Sequence, residues 1–286
     1  MYGAILGDMI GSIYEWRPVK HKDFPLFKDG STFTDDTVMT IAVADGFRYF
    51  LKNECPEIFE SRNKTNLISS TDIPEDKLSA LTDFVIHNML FWGRRHPRAG
   101  YGGNFIKWMK HDGYKPYNSW GNGSAMRVSS VGWMFEDIET TRKMAALQSA
   151  VSHNHPEGIK GAEAVASAIF LARSGKSKEE IREYITTEFG YDLNRTIDEI
   201  RPEYKFDVSC QGSVPEAITA FLDSTNFEDA IRNAVSLGGD GDTQGAMAGS
   251  IAEAYYGVPE ELKRKAENHL TPMMRESLTT FSEKWL

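Results

Sequence analysis

The sequence contains few cysteines, no long apolar segment and no excess of basic residues, and each shortage excludes a class of protein. Cys55 and Cys210 are its only cysteines, so we expect reduced thiols in a cytoplasmic protein and no disulfide framework. The apolar start lacks the basic region of a signal peptide, and no apolar run reaches the roughly 20 residues of a membrane span, so we expect no membrane partner. A net charge of −9 at pH 7 disfavours a nucleic-acid partner.

Alternating strand patterns are also nearly absent, and the segment EYKFDVSC (203–210) is the one short strand candidate. Apolar residues instead recur every three or four positions, as Val38, Ile41 and Ala42 do, and Pro156 and Gly175 bound another helical segment. We predict a compact, orthogonal, multi-helix all-α fold that forms one domain over residues 1–286. The polar segment 53–76 is predicted to be a surface insertion, and the glycines and alanines of segment 245–254 predict close helix packing.

Two acidic clusters stand at the start of helix-like segments. They consist of Thr34, Asp35 and Asp36 in the first and of Asp240, Asp242 and Thr243 in the second. Helix capping explains one carboxylate at such a position, but each cluster has two, and like charges repel each other. Carboxylate and hydroxyl oxygens are the ligands that Mg²⁺ prefers, and four carboxylates suffice for two bridged ions. The sequence leaves capping and metal binding as alternatives, because spacing alone does not bring the clusters together.

The N-terminal segment GAILGDMIGSIYEW has two further acids in apolar surroundings. Asp8 and Glu15 are seven residues apart, about two helical turns, so a continuous helix would place both carboxylates on one face. Buried acids are rare unless they are paired or functional. A structural salt bridge or cap remains an alternative for Asp8, whereas Glu15, near the predicted helix end, suits the edge of a cleft.

Two glycine-rich loops, RAGYGGNF (98–105) and SWGNGSAMRVSSVGW (119–133), lead into apparent helices. Backbone amides exposed at glycines before a helix can bind phosphate, although such loops are common without any ligand. Neither loop has the spacing of a nucleoside-triphosphatase motif. Tyr101 and Trp120 are the aromatic residues that we expect to contact a ligand ring. His153 and His155 are spaced poorly for zinc, and we expect a hydrogen bond or a stacking contact from one of them.

Six motifs occur in order along nearly the whole chain: GAILGDMIGSIYE, TDDT, RAGYGG, GNGSAMR, SHNHPEG and GGDGDTQGAMAG. Together they resemble the ADP-ribosylglycohydrolase family, which includes dinitrogenase-reductase-activating glycohydrolase and the animal ADP-ribosyl-acceptor hydrolases. The resemblance implies an all-α orthogonal fold, a centre of two Mg²⁺ ions, or Mn²⁺ in their place, and hydrolysis of the glycosidic bond between ADP-ribose and an acceptor. The expected substrate is an ADP-ribosylated protein, and we expect the chain to act as a monomer.

The resemblance also implies roles for individual residues. Those expected to hold the metals are Thr34, Asp35, Asp36, Asp240, Asp242 and Thr243. Glu15 is expected to act as general acid or base, with Asp36 and Asp242 as the other residues of the catalytic centre. Those expected to bind the ADP-ribose moiety are Tyr101, Gly102, Gly103, Gly121, Asn122, Gly123, Ser124, Met126 and His153.

One departure from the family concerns the acceptor. Bacterial members that act on arginine carry an additional acidic residue before the RAGYGG motif, whereas the segment FWGRRHPRAGYGG has none. The alternatives are a hydrolase of another ADP-ribose derivative, such as O-acetyl-ADP-ribose, and a non-catalytic ADP-ribose-binding or crystallin-like protein. A non-catalytic protein would be expected to lose metal ligands or Glu15, and all of these residues are present.

Overall fold

The computed structural model describes residues 1–61 and 67–286, and this part of the chain forms sixteen α-helices, one 3₁₀ turn (Glu75–Lys77) and no β-strand. The all-α prediction is therefore confirmed. The helices are α1 Tyr2–Gly11, α2 Asp35–Glu54, α3 Pro56–Ser61, α4 Leu78–Arg95, α5 Gly103–Lys110, α6 Gly123–Met126, α7 Val131–Met134, α8 Ile138–Ala150, α9 Pro156–Arg173, α10 Lys178–Phe189, α11 Ile197–Ile200, α12 Cys210–Leu222, α13 Phe227–Val235, α14 Gly241–Tyr256, α15 Glu260–His269 and α16 Pro272–Trp285. None of the helices described is both long and apolar enough to cross a membrane.

Two sequence predictions need correction. The strand candidate 203–210 is not a strand: it contributes one isolated bridge, between Gly121 and Ser209, because only a few of its backbone groups pair with the glycine loop. The segment 53–76 is not simply a surface insertion, since the side chains of Phe59, Ile68 and Ile73 are buried in the core. Residues 62–66 of that segment lie outside the described residues.

The helix pair α1 and α14 forms the centre of the fold and packs through facing glycines. A Cβ atom built on Gly7 would lie 1.9 Å from the carbonyl oxygen of Gly245, and one on Gly3 would lie 2.0 Å from that of Gly249. No side chain fits at such distances, so glycine is required at these contacts. This close crossing confirms the packing predicted from the small residues of α14, and it brings the C-terminal end of α1 to the N-terminal end of α14.

A lysine anchors the loop that follows α1. The Nζ atom of Lys20 donates to the carbonyl oxygens of Arg201 at 2.8 Å, Tyr204 at 2.5 Å and Leu237 at 2.6 Å. These carbonyls follow the ends of α11 and α13, where helices leave acceptors without internal partners. One ammonium group therefore joins the loop containing Glu15 to the segments before α12 and α14.

Candidate active site

The C-terminal end of α1 and the N-terminal ends of α2, α5, α6 and α14 surround a cleft of about 870 Å³. Most residues expected to function line this cleft: Glu15, Thr34, Asp35, Asp36, Gly102, Gly103, Gly121, Asn122, Gly123, Met126, His153, Asp240, Asp242 and Thr243. Tyr101 and Ser124 do not. The Tyr101 ring is buried and stacked on Phe105, with ring centroids 5.6 Å apart, and the Ser124 hydroxyl donates to the carbonyl oxygen of Gly158 at 2.7 Å.

The two acidic clusters meet at one end of the cleft. The Thr243 hydroxyl donates to Asp36 Oδ2 at 3.3 Å, although the two residues are 207 positions apart in the chain. Carboxylate oxygens of Glu15, Asp240 and Asp242 lie within 4.8 Å of one another. The glycine crossing of α1 and α14 produces this convergence, since it places the Glu15 loop against the first turn of α14. We call the group formed by Glu15, the first cluster and the second cluster the acidic centre.

Helix capping accounts for only part of the acidic centre. Thr34 is the N-cap of α2, and its hydroxyl oxygen accepts from the backbone N–H of Asp36 at 3.3 Å. Asp240 is the N-cap of α14, but its side chain makes no capping hydrogen bond. Asp36 Oδ1 is buried without a hydrogen-bond partner among the described residues. A buried carboxylate oxygen without a donor is costly, so capping does not explain why this group is present.

Burial and mutual repulsion raise the pKa values of these carboxyl groups. Burial, and then the charge of Asp242, raise the pKa values of Asp35, Asp36 and Asp240 well above their ordinary range. The same two causes raise the pKa of the half-buried Glu15 to about 7. Hard divalent cations bind to sets of oxygen ligands and would neutralise this repulsion. The orphaned Asp36 oxygen and the all-oxygen donor set therefore fit a site for Mg²⁺ or a similar ion.

Asp8 lies directly behind the acidic centre, and sequence reasoning left its role open between structure and function. Its carboxylate accepts from the backbone N–H of Thr34 at 2.9 Å, from the Thr34 hydroxyl at 2.8 Å and from the backbone N–H of Thr37 at 3.0 Å. Burial and Asp242 raise the pKa of Asp8 to about 7. Asp8 thus fixes the first turn of α2 and the orientation of Thr34. The sequence indicated a possible partner for Asp8 only through the second threonine of TDDT, Thr37.

The expected helical alignment of Asp8 and Glu15 is wrong. Helix α1 ends at Gly11, and the chain turns so that the buried Tyr14 packs on Phe24, with ring centroids 4.8 Å apart. Glu15 consequently lies on a loop at the edge of the acidic centre, although it remains beside Asp242.

The glycine loop 119–126 reaches both the acidic centre and His153. Asn122 Nδ2 donates to Asp240 Oδ2 at 2.7 Å, which joins this loop to the second cluster. On its other side, a Cβ atom on Gly123 would lie 3.0 Å from His153 Nε2. His155 does not line the cleft: its ring accepts from the backbone N–H of Glu157 and caps α9. Of the two histidines, His153 is the one that can contact a ligand.

Exposed aromatic side chains stand around the cleft. Trp16 is 79% exposed, Phe206 is 52% exposed and Trp120 is 48% exposed, and all three line the cleft. Sequence reasoning selected Trp120 and missed Trp16 and Phe206. The position of Trp16 next to Glu15 was an available signal, whereas Phe206 lies in the segment interpreted as a strand. These rings provide apolar surface for a ligand with ring systems.

Comparisons with known proteins identify the family and the fold. The model of the family described as ADP-ribosylglycohydrolase matches residues 1–285. ADP-ribosylhydrolase ARH3 of Bos taurus is 26% identical, with 99% of this chain and 92% of the relative covered, and the Homo sapiens protein of the same name gives the same values. ADP-ribosylarginine hydrolase Tri1 of Pseudomonas putida is 25% identical, with 96% of this chain and 76% of the relative covered. A solved structure titled "ADP-ribosylglycohydrolase-related protein complex" has the same fold, with a TM-score of 0.68, 21% identity and coverage of 99% of this chain and 95% of that one.

Proposed function

This chain belongs to the ADP-ribosylglycohydrolase family, and from that premise we propose that it hydrolyses the glycosidic bond between ADP-ribose and an acceptor, which reverses ADP-ribosylation. The observation that carries the proposal is the convergence of the two Asp/Thr clusters and Glu15 at one end of a cleft of about 870 Å³. A cleft of this size can accept a nucleotide-sized ligand. We propose an ADP-ribosylated protein side chain as the substrate.

The acidic centre would hold two Mg²⁺ or Mn²⁺ ions through the residues expected from the sequence: Thr34, Asp35, Asp36, Asp240, Asp242 and Thr243. When bound, such ions orient sugar hydroxyls and lower the pKa of water, so that hydrolysis proceeds at neutral pH. Asp8 and Asn122 support this centre from outside, since Asp8 holds Thr34 and Asn122 holds Asp240 by hydrogen bonds.

Glu15 is proposed to move the proton. Burial is the first cause that raises the pKa of this carboxyl group above its ordinary value, towards the range in which a general acid or base gives and accepts a proton. Its place on a loop at the cleft edge leaves space for the leaving group. In an ordinary glycosidase a second protein carboxylate shares this work, whereas here ions held by the two Asp/Thr clusters would take its place.

The remaining cleft residues are proposed to bind the ADP moiety. In the loop 121–123, the N–H of Gly121 donates to Ser119 Oγ at 3.1 Å and that of Asn122 to the Val208 carbonyl oxygen at 2.8 Å. The donors proposed for an anionic ligand are therefore the N–H of Gly123 and the ring of His153, and Trp120 offers an aromatic surface. Tyr101 and Ser124 would act indirectly, because both lie behind the cleft wall. Arg98 lines the cleft, and no acid occurs in the segment 91–103, which favours an acceptor without a positive charge.

We also propose that residues 1–286 act as one monomeric domain in the cytoplasm. The family match over residues 1–285 and a large apolar cluster that extends from Met1 to Trp285 support a single domain. Cys55 and Cys210 are both buried free thiols, which suits a reducing compartment. Light scattering of the purified protein would test the monomer.

The test of function is release of ADP-ribose from a panel of ADP-ribosylated proteins and from O-acetyl-ADP-ribose, with and without a chelator. We expect turnover that chelation abolishes and added Mg²⁺ restores. Asp242→Asn should lower kcat by about 10³-fold, equivalent to about 4 kcal/mol, because it removes a central carboxylate of the acidic centre. Asp112→Asn is the matched control, since that side chain is 78% exposed and lies outside the cleft.

Chelator-insensitive turnover would contradict the metal assignment. Binding of ADP-ribose without turnover of any substrate would replace the hydrolase by the non-catalytic alternative. Turnover of O-acetyl-ADP-ribose alone would move the substrate to the other ADP-ribose derivatives.

A further inference from the structure

Arg127 is a buried guanidinium group in the wall of the cleft. Only 1% of the residue is exposed, yet no carboxylate contacts it within residues 1–61 and 67–286. Its Nε atom donates to Gln148 Oε1 at 2.8 Å, and its Nη2 atom donates to the Gln148 carbonyl oxygen at 2.8 Å and to Ser152 Oγ at 3.0 Å. Buried charges are usually paired, so a guanidinium held only by neutral acceptors needs another explanation.

The hydroxyl of Ser152 joins this arginine to His153. Its oxygen accepts from Arg127 Nη2 and lies 2.8 Å from His153 Nδ1. A guanidinium only donates, so the hydroxyl proton must find its acceptor elsewhere. His153 Nδ1 lies 2.8 Å away, and the Tyr117 hydroxyl also interacts with Ser152. A phenol can donate to the serine oxygen as well as accept from it, so Nδ1 is the better acceptor for this proton, and leaving a buried hydroxyl proton unpaired costs about 1–3 kcal/mol. This favours an unprotonated Nδ1.

The other nitrogen of the ring faces the cleft. A Cβ atom on Gly123 would lie 3.0 Å from His153 Nε2, and one on Gly121 would lie 3.8 Å from it, so this nitrogen sits against the glycine loop. His153 lines the cleft, and no hydrogen bond to its Nε2 occurs within the described part of the chain. Tyr117 packs on the ring edge-on, with centroids 5.5 Å apart. Burial and the charge of Arg127 lower the pKa of His153 well below its ordinary value, so the ring is neutral at pH 7.

We propose that Arg127 and Ser152 are positioning residues that hold His153 as the neutral tautomer with its proton on Nε2, directed at an anionic oxygen of the ligand. The inference deepens the proposed function, because it assigns a donor to the ADP moiety of that substrate. A neutral donor of fixed direction binds an oxygen without requiring a proton to be taken up. Gln148 completes the arrangement, since its Nε2 donates to the carbonyl oxygen of Ser124 at 3.0 Å and so connects it to the glycine loop.

The first experiment needs neither ligand nor turnover. Nitrogen NMR of ¹⁵N-histidine-labelled, metal-free protein at pH 7, with the signals assigned through His153→Gln, reports which ring nitrogen carries the proton. We expect the wild-type ring to have an unprotonated Nδ1 and a protonated Nε2, and Ser152→Ala to show a mixture of both tautomers. Ser149→Ala removes a buried hydroxyl one turn earlier, bonded to the His153 carbonyl oxygen, and should leave the tautomer unchanged. A proton on Nδ1 in the wild-type protein would overturn the proposal.

The second experiment measures the Kd of ADP-ribose by calorimetry. We expect Ser152→Ala and His153→Gln each to weaken binding about tenfold, equivalent to about 1.4 kcal/mol, and Ser152→Thr, which retains the hydroxyl, to bind nearly as the wild type does. The double variant should bind no more weakly than His153→Gln alone, because Ser152 acts through the ring. Additive losses of ADP-ribose affinity would show that Ser152 does not act through the His153 ring and would refute its positioning role. Failure of hydrolysis would leave both measurements interpretable, so the two proposals fail separately.

Discussion

Two groups of residues at the cleft, the acidic centre and the group around His153, are built in opposite ways. At the acidic centre, carboxylates crowd together, Asp36 Oδ1 has no hydrogen-bond partner in residues 1–61 and 67–286, and pKa values rise through burial and repulsion. In the group around His153, hydrogen bonds of 2.8–3.0 Å connect the four residues Arg127, Gln148, Ser152 and His153. The ligand set of the acidic centre fits a cation, whereas the group around His153 already holds its side chains in place by hydrogen bonds. The cleft therefore combines a set of oxygen ligands that fits a cation with a hydrogen-bonded group that can contact a substrate.

This contrast also separates stability from function. Ionised carboxylates that repel one another destabilise the metal-free protein, whereas a satisfied buried network stabilises it. Neutralising a carboxylate of the acidic centre should thus lower activity and raise the stability of the metal-free protein. Truncating a side chain in the group around His153 should lower both activity and stability.

The largest expected effect tests that difference in sign. Asp36→Asn should lower turnover by about 10³-fold, equivalent to about 4 kcal/mol, since it removes a carboxylate of the acidic centre. In the presence of a chelator the same variant should raise the Tm by about 2–4 °C, because about 1 kcal/mol corresponds to that shift in a chain of this size. Ser152→Ala should lower the Tm by a comparable amount. Thermal unfolding of the three proteins in chelator is the measurement, and a shift in the same direction for both variants would contradict the contrast.

A smaller effect concerns the glycine contacts that pack beneath the acidic centre and beside His153. Gly7→Ala should cost about 3 kcal/mol of unfolding free energy, since its Cβ would lie 1.9 Å from the Gly245 carbonyl and force two core helices apart. Gly158→Ala places a Cβ 2.6 Å from the Ser119 carbonyl oxygen and 3.0 Å from that of His153, which are longer distances than at Gly7, so we expect about 1–2 kcal/mol. Gly103→Ala serves as the control and should be neutral or slightly stabilising, because its Cβ would meet no neighbouring atom of the described residues within 4 Å. Urea unfolding in chelator measures the unfolding free energies of the three variants. Equal losses for Gly7→Ala and Gly158→Ala would contradict the expected difference between the two contacts.

The smallest effect is the pH dependence of the acidic centre. The pKa of Glu15 rises from 4.5 to about 7 on folding, so the folded state binds more protons than the unfolded state between these values. The unfolding free energy of the metal-free protein therefore falls as pH rises from about 4.5 to 7. Glu15→Gln should reduce this fall, though only slightly, because solvent reaches the half-buried carboxylate. Urea unfolding at pH 5 and pH 7 measures the difference, and identical slopes for the two proteins would disprove the assignment.

Much of the fold was predictable because its causes are local. The helix that begins at Pro156 follows from a proline in the first turn, and the helix after Thr34 follows from a capping hydroxyl. The loop position of Glu15 was not predictable from spacing, because the burial of Tyr14 against Phe24 ends the helix early. Asp8 could be recognised as unusual, but its partners Thr34 and Thr37 are known only from the packing of α1 on α2.

The candidate site was predictable as a list of residues and not as an arrangement. The glycines at positions 3, 7 and 11 face those at 249, 245 and 241, and regular spacing by four was visible in both segments. Nothing local tells that these two stripes meet, since their contact depends on the whole core. Arg127 lies in the motif GNGSAMR, and Ser152 and His153 lie in SHNHPEG. The hydrogen bonds that connect them were still not predictable, because a motif does not tell which side chains of another motif it contacts.

The glycine crossing has a consequence for how this protein can vary. When two large side chains meet in a core, enlargement of one can be offset by a smaller residue opposite. Gly3 and Gly7 face the backbone carbonyls of Gly249 and Gly245, and a backbone cannot shrink. A second-site suppressor of Gly7→Ala must therefore lie outside the facing pair, in residues that let the two helix axes separate, and a selection for revertants would find it there.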